Sequence, residues 1–182
     1  MVKLAKKSIG LLGGSFDPVH KGHLAISKIA LKKFKLERIY WLITQKNPFK
    51  KKIHFSLHHR IKLARKATQK FNKIEVLYLD EIVKSSRSIN LVNYFIKKKK
   101  KKINNIYFII GSDILIELHK WKSWKKLVKL TKLIVFSRKG YDKKSKNSIV
   151  VKYLKNKNIT FIKNKPIVIS SSFVKKKLIK KS

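Results

Sequence analysis

The sequence predicts an α/β fold built on a doubly wound parallel sheet. Short apolar runs rich in branched and aromatic residues alternate with longer stretches whose apolar residues recur at helical spacing, which is typical of this fold class. The chain has 182 residues, enough to bury a core without disulfides, and it contains no cysteine. We therefore expect a single domain over residues 1–182.

The strands are predicted from apolar runs of strand length. The first run stops at Gly13-Gly14, and the fourth stops at Gly111. The second run, 39–43, combines aromatic with branched residues, which pack well in a sheet. In chain order the predicted strands are 9–12, 39–43, 74–79, 106–110, 133–136, 159–162 and 167–169.

The helices are predicted from apolar residues three or four positions apart. The first begins at Gly22, and its apolar face comprises Ile26, Ile29, Ala30 and Phe34. Residues 139–157 are polar and weakly patterned, so no element is predicted there. The remaining predicted helices are 57–71, with a stripe of Leu57, Ile61, Ala64, Thr68 and Phe71, then a helix capped by Ser88, and finally 114–118, 124–130 and 171–181.

The charge of the chain is extreme. Its formal net charge is +40, from 48 basic and eight acidic residues, which suggests binding to nucleic acid or to an acidic membrane. Only five of the basic residues are arginine, however, and the lysines are spread along the chain among many isoleucines and asparagines. Nucleic-acid interfaces favour arginine forks and stacking aromatics. We therefore interpret the lysines, including the run 97–102, as a solvated surface produced by compositional bias.

The chain shows no sign of membrane insertion or secretion. No segment approaches the roughly 20 apolar residues of a membrane span. Its first residues carry charge but lack the apolar stretch of a signal peptide. We expect a soluble, cytoplasmic protein without a membrane partner.

The segment from Gly13 to His23 has the pattern of a phosphate-binding turn. It reads Gly-Gly-Ser-Phe-Asp-Pro-Val-His-Lys-Gly-His between a predicted strand and a predicted helix. Glycines let backbone N–H groups approach a ligand, and unpaired N–H groups in the first turn of a helix attract anions. His20 and His23 fall near that first turn, whereas Asp17-Pro18 is predicted to form a turn. Together these features predict an anion site.

Four loops that follow predicted strands are expected to border one cleft. In doubly wound sheets, ligands bind beyond the carboxyl ends of the strands, where the strand order reverses. The loops carry glycines, hydroxyls, two histidines, lysines and one carboxylate, which are residue types suited to a nucleotide. They comprise residues 13–23, 44–50, 111–113 and 170–172.

These motifs resemble a known family. Segment 13–23 is similar to the T/HxGH nucleotidylyltransferase superfamily, whose members transfer a nucleotidyl group from an ATP-like donor to a phosphate acceptor. Three later stretches, 41–50, 108–121 and 169–175, resemble the nicotinate-nucleotide adenylyltransferases of bacteria and occur in family order. The resemblance implies a Rossmann-like sheet of nucleotidylyltransferase type. It also implies adenylyl transfer from ATP to nicotinate mononucleotide, giving nicotinate adenine dinucleotide (deamido-NAD) and pyrophosphate in NAD synthesis.

The resemblance also implies an ATP site. His20 and His23 would hydrogen-bond the ATP phosphates, with His23 nearest the reacting group, although either ring could instead cap the helix. Asp113 would accept hydrogen bonds from ribose hydroxyls, or else cap the helix from Ile114. Magnesium is expected on the ATP phosphates, held by substrate and water without dedicated protein ligands. The implied ATP-binding residues are Gly13, Gly14, Ser15, Phe16, His20, His23, Gly111, Asp113, Ser170, Ser171 and Lys175.

The closing segment, at about 170–182, departs from the commoner family pattern. Ser170 and Ser171 would open a final helix and, with Lys175, bind the β- and γ-phosphates. The resemblance makes Lys175 a catalytic residue beside the two histidines. The family more often has Ser-Ser-Thr followed by arginine, whereas Ser172 and Lys175 stand at those positions here. Lysine lacks the bidentate fork of arginine, so the phosphate geometry is less tightly defined, and Lys176 or Lys177 could share the role.

The resemblance assigns three residues to the nicotinate nucleotide. Lys50 would bind its phosphate, Ser88 would contact the pyridine carboxylate, and Trp121 would recognise the nicotinate ring. Trp124 is interpreted as a core residue. Arg87 stands where the family tends to have an aromatic residue, which alters the surroundings of the base.

Three other functions are compatible with parts of the sequence. A phosphopantetheine adenylyltransferase can share the Ser-Ser-Ser and lysine ending, and a nicotinamide-mononucleotide enzyme differs only in its acceptor. A nucleic-acid-binding module would explain the charge but not the ordered motifs. It predicts salt-sensitive binding that survives His20→Ala and His23→Ala.

Overall fold

The described part of the chain contains a sheet of six parallel strands. The computed structural model describes residues 7–45, 53–99 and 103–163. The strands are β1 (Lys7–Gly14), β2 (Arg38–Ile43), β3 (Ile74–Leu77), β4 (Ile103–Gly111), β5 (Lys132–Phe136) and β6 (Ile159–Ile162). The helices are α1 (Lys21–Lys33), α2 (Leu57–Thr68), α3 (Ser88–Lys99), α4 (Ser112–Glu117), α5 (Trp124–Leu130), α6 (Asp142–Lys146) and α7 (Ile149–Leu154), with a 3₁₀ turn at Leu118–Lys120.

The strand order is β3-β2-β1-β4-β5-β6, and every neighbouring pair is parallel. The chain therefore winds outward from β1 in one direction and then returns to β4 to wind in the other. This is the doubly wound order in which a crevice opens between the first and fourth strands. The predicted α/β, Rossmann-like fold class is confirmed.

Helices cover the sheet on both faces, because side chains alternate across each strand. One hydrophobic core contains Ile9, Leu11 and Phe108 together with residues of α3, α4, α5 and α7. The other contains Leu12 and Trp41 together with residues of α1 and α2. Both faces of the central strands are thus buried. A site for a ligand is therefore expected in the loops at the strand ends. None of the helices in the described ranges is long and apolar enough to cross a membrane.

The observed elements differ from the predicted ones mainly at their ends. The strand predicted to stop at Gly13-Gly14 runs through both glycines, because they pair with Leu42 and Ile43 of β2. The strand predicted over 74–79 ends at Leu77. The unpredicted stretch 139–157 contains α6 and α7. The predicted strand 167–169 and helix 171–181 lie outside the described residues.

The predicted cap at Ser88 is wrong. Helix α3 begins at Ser88 itself. The carbonyl of Arg87 accepts from the N–H groups of Asn90 and Leu91 at 3.0 and 3.3 Å, so Arg87 occupies the capping position. Ser88 is consequently the first residue of the helix. It follows the capping position, which the prediction had assigned to it.

Candidate active site

Gly13 lies beside open space at the carboxyl end of β1. A Cβ atom built on Gly13 would meet no atom of the described structure within 4 Å, whereas one on Gly14 would touch the Phe16 ring at 3.6 Å. The chain turns after the strand at Phe16, whose φ is +45°. That strained residue is held by burial, with its ring stacked on Trp41 at a centroid distance of 5.1 Å. The glycine therefore exposes main chain at the crevice, and the next turn is anchored in the core.

His20 and His23 form a reciprocal cap at the start of α1. The N–H of Gly22 donates to His20 Nδ1 at 3.1 Å, and the N–H of His20 donates to His23 Nδ1 at 3.2 Å. A backbone N–H can only donate, so both Nδ1 atoms act as acceptors. A neutral imidazole with an accepting Nδ1 carries its proton on Nε2. The capping alternative from the sequence is thus confirmed, and it fixes Nε2–H as the donor atom of each ring.

The His23 ring is held in place by aromatic neighbours. Its centroid lies 3.9 Å from that of His20, 4.7 Å from Phe16 and 5.9 Å from Trp41. Ser27 connects the same residues, because its hydroxyl donates to the His23 carbonyl at 2.8 Å and accepts from Trp41 Nε1 at 2.9 Å. These contacts fix the orientation of the imidazole. The supporting roles of Trp41 and Ser27 were not predicted from the sequence, because these contacts depend on the fold.

Asp113 lies at the carboxyl end of β4, in the first turn of α4. Its Oδ2 accepts from Arg138 at 2.9 Å, whereas its buried Oδ1 has no hydrogen-bond partner among the described residues. The predicted capping alternative for Asp113 is wrong, because α4 starts at Ser112 and its N-cap is Gly111. A Cβ on Gly111 would collide with Oδ1 of Asp113, so a larger residue there would displace this carboxylate oxygen. A buried carboxylate oxygen without a donor is costly, and it is suited to accept from a ligand hydroxyl.

Arg138 contacts the candidate site and was not predicted from the sequence. Its guanidinium binds Asp113, and its backbone N–H donates to the hydroxyl of Ser112 at 2.9 Å. The loop after β5 is thereby fixed to the start of α4. An arginine two residues after a predicted strand, in a chain whose cations are mostly lysine, was the signal that could have found it.

The two tryptophans that follow α4 have different neighbours. Trp121 comes directly after the 3₁₀ turn and meets Phe108 edge-on at 6.3 Å. Trp124 begins α5 and meets Tyr153 edge-on at 5.0 Å. Both are half-buried against the same core.

A second missed feature is the buried Arg60 in the first turn of α2. Its side chain is 1% exposed, and it donates to main-chain carbonyls of Ser15 and Thr44 at 2.7 and 2.8 Å. Burial lowers the pKa of Arg60, and the nearby Asp17 and Asp80 oppose that shift. Ala64 and Thr68 of the predicted stripe are buried, and its Leu57, Ile61 and Phe71 pack against the same core, so Arg60 extends the predicted face. The sequence contained a signal for this burial, because Arg60 lies four residues before Ala64 and therefore on the same face of the helix.

Asp17 has a further role beyond its predicted turn. It lies in that turn with its carboxylate fully buried, and it accepts from the backbone N–H groups of His54 and Phe55, each at 3.0 Å. Asp80 accepts in the same way from the N–H of Gln45 at 2.9 Å, and burial raises its pKa. These carboxylates fix the loops near the ends of β1, β2 and β3.

The predicted site residues are only partly described. The carboxyl ends of β1, β2 and β4 lie at one edge of the sheet, and this brings the glycine turn, Thr44 and the Gly111–Asp113 turn to the same side. Lys50, Ser170, Ser171 and Lys175 lie outside the described residues.

Comparison with known proteins identifies the family. The cytidylyltransferase-like family description matches residues 11–177. A probable nicotinate-nucleotide adenylyltransferase of Pelagibacter ubique is 46% identical over 171 residues, which are 94% of this chain and 93% of that protein. The chain belongs to the nicotinate-nucleotide adenylyltransferase family. A probable nicotinate-nucleotide adenylyltransferase of Aquifex aeolicus is 30% identical, over 89% of this chain and 98% of that protein.

The fold comparison agrees with this family. A solved structure of Plasmodium falciparum nicotinic acid mononucleotide adenylyltransferase complexed with NaAD superposes with a TM-score of 0.73. It is 23% identical and covers 93% of this chain and 83% of that chain, so the likeness concerns the fold. The family resemblance noted in the sequence is confirmed.

Proposed function

We infer that this nicotinate-nucleotide adenylyltransferase transfers an adenylyl group from ATP to nicotinate mononucleotide and forms nicotinate adenine dinucleotide and pyrophosphate. The observation that carries this conclusion is the 46% identity to a family member over nearly the whole of both chains. In the reaction, an oxygen of the acceptor's 5′-phosphate forms a bond to the α-phosphorus of ATP. The bond from that phosphorus to the β-phosphate oxygen breaks, and pyrophosphate leaves. The product contributes to NAD biosynthesis, and its water-soluble substrates favour the cytoplasm as the compartment.

We propose that the two histidines bind the ATP phosphates through Nε2–H. Their Nδ1 atoms are bonded to backbone N–H groups, so Nε2 is the donating atom. The first turn of α1 adds its helix dipole, and Gly13 to Phe16 add main-chain N–H groups beside the open space at Gly13. Donors fixed before the substrate arrives stabilise charge as it develops on the phosphates. The protein's task is thus positioning and electrostatics, without a covalent intermediate.

We propose that Asp113 binds the ribose of ATP. The support is its buried Oδ1, which has no donor among the described residues, while Arg138 holds Oδ2. A ribose hydroxyl is the kind of donor that such an oxygen accepts. The absence of a Cβ at Gly111 leaves room for that oxygen in its present position. Magnesium would enter with ATP, bound by phosphate oxygens and water, and would neutralise charge on the leaving pyrophosphate.

The remaining assignments rest on the family relationship. We propose that Lys50, Ser88 and Trp121 bind nicotinate mononucleotide. Ser170, Ser171 and Lys175 would bind the β- and γ-phosphates from a closing segment at about 170–182. That segment would complete a single domain over 1–182.

The test of the function is pyrophosphate release by the purified protein with ATP and magnesium. Nicotinate mononucleotide, nicotinamide mononucleotide and phosphopantetheine are offered in turn, and we expect turnover to be fastest with the first. Turnover with phosphopantetheine and with neither mononucleotide would show that the proposed acceptor is wrong. Absence of turnover with all three, in a sample shown to be folded by circular dichroism, would refute the enzymatic function.

Replacing Trp121 by alanine should weaken binding of the acceptor. Loss of a base-stacking aromatic costs about 1–3 kcal/mol, so we expect KM for nicotinate mononucleotide to rise roughly tenfold or more while KM for ATP changes little. The matched control is Trp124→Ala, which removes another half-buried ring of the same core that packs on Tyr153. It should lower the melting temperature and leave both KM values nearly unchanged. Equal effects of the two variants on KM would contradict the role of Trp121.

A further inference from the structure

The guanidinium of Arg60 connects loops from different parts of the chain. Nη1 donates to the carbonyl of Ser15, which follows β1, and to that of Thr44, which follows β2. Nη2 donates to the carbonyl of Gln45 at 3.2 Å, and Nε donates to that of Phe55 at 3.1 Å. One planar cation thus holds four main-chain carbonyls of the described residues, in a fixed fork that lysine cannot reproduce.

Two of these residues are hydrogen-bonded through both their N–H and their carbonyl. The Phe55 N–H donates to Asp17, and its carbonyl accepts from Arg60. The Gln45 N–H donates to Asp80, and its carbonyl accepts from Arg60. The turn after β1 and the loop after β2 are therefore joined through one buried cation and two buried carboxylates, beyond the backbone hydrogen bond from the Thr44 N–H to the Gly14 carbonyl at 3.1 Å.

The joined loops carry the two halves of the proposed reaction. Ser15 belongs to the turn proposed to bind ATP, and it lies five residues before His20. Thr44 and Gln45 immediately precede the segment that holds Lys50, proposed to bind the acceptor phosphate. An in-line transfer depends on the distance between donor and acceptor, and an error near 1 Å can lower the rate about 100-fold.

We propose that Arg60 is a positioning residue, which holds the ATP loop and the acceptor loop at the separation that adenylyl transfer requires. This inference rests on the proposed function. Arg60 does not touch the reacting atoms, and it acts through the carbonyls of Ser15, Thr44 and Gln45. Its role is distinct from simple core stability, because it controls the relation between two substrate loops rather than the binding of either substrate.

The test is Arg60→Lys, which keeps the charge but loses the fork. We expect kcat to fall roughly 100-fold, with KM for ATP and for nicotinate mononucleotide each within about threefold of the wild type. In Arg60→Lys, hydrogen exchange at the amides of 15–16 and of 44–45 should become faster together, relative to the wild type. The matched control is Arg65→Lys, at an exposed position in the last turn of the same helix, and its kinetics should not change.

A second variant tests the proposal even if Arg60→Lys does not fold. Asp80→Ala frees the Gln45 N–H and leaves Arg60 in place. It should lower kcat about tenfold with little change in either KM. Addition of guanidinium ion to Arg60→Ala should restore part of the lost rate.

The outcomes separate the two proposals. If the wild type does not transfer adenylyl groups, the proposed function fails, and the positioning role fails with it. If the wild type is active and both Arg60→Lys and Asp80→Ala lose stability but keep kcat within threefold per folded molecule, Arg60 is structural only. A loss confined to KM would likewise overturn the positioning role.

Discussion

His23→Ala should lose at least ~100-fold in kcat while retaining the fold. The Nε2–H of His23 is the proposed donor to the reacting phosphate, and removal of one preorganised donor from a transition state typically costs a factor of about 100 to 1,000. The same change deletes the acceptor for the His20 N–H, and loss of a helix cap costs about 1 kcal/mol. The rate is measured by pyrophosphate release, and the fold is checked by thermal unfolding.

His23→Gln separates the two effects. Glutamine three residues after an N-cap can accept from the capping residue's N–H, as in a capping box. It should therefore recover most of the stability that alanine loses. A glutamine amide held in that capping bond has no N–H group at the position of the His23 Nε2–H, so the rate should stay at least ~10-fold below that of the wild type.

The control for the histidine series is His58→Ala, which removes an exposed ring on α2. It should leave both rate and stability unchanged. If folded His23→Ala worked within threefold of the wild-type rate, His23 would be only a helix cap. A nucleic-acid-binding function predicts that RNA affinity survives the histidine changes and falls steeply with salt.

Gly13→Val should abolish tight ATP binding without destabilising the protein. A Cβ at Gly13 meets nothing within 4 Å, so the protein can accommodate the side chain, and valine favours the strand conformation. The added methyl groups would occupy the space beside the main chain that ATP must approach. We expect Kd for ATP to rise roughly 100-fold in calorimetric titration, with the melting temperature unchanged or raised.

Gly10→Ala is the opposite control on the same strand. Its Cβ would lie 2.9 Å from Ile39 and 3.0 Å from Leu36, inside the packed core. Overpacking of this kind costs about 1–3 kcal/mol, so the melting temperature should fall while the folded protein still binds ATP. If Gly13→Val were unstable but bound ATP normally, the open space at Gly13 would have no part in the nucleotide site.

The fold was predictable because its signals are local and repeated. The runs at 39–43 and 106–110 are short, branched and apolar, and such runs have few alternatives to a buried strand. The prediction failed where tertiary pairing decides. Gly13 and Gly14 read as a break, but they remain in β1 because β2 supplies their partners. The weakly patterned stretch 139–157 forms two helices of five and six residues, too short to show a clear helical period.

The candidate site was predictable only where its residues are adjacent in sequence. The His20-to-His23 spacing places both rings at a helix start, and the structure shows the cap that this spacing allows. Contacts between residues that are far apart in the chain produce no spacing that can be recognised in the sequence. The pairing of Asp113 with Arg138 joins residues 25 positions apart, and Arg60 reaches Ser15 across 45 positions. Sequence indicated that these residues were polar, but not which carbonyl or carboxylate each would meet.

The hydrogen bonds of Arg60 affect which substitutions its partner residues tolerate. They end on main-chain carbonyls, and every amino acid supplies that group. Ser15, Thr44, Gln45 and Phe55 could each be replaced without removing an acceptor, provided that the backbone keeps its path. These four positions can thus change their side chains without losing their hydrogen bonds to Arg60. The relative position of these loops then depends on the internal residues Arg60, Asp17 and Asp80 rather than on the side chains that the loops carry.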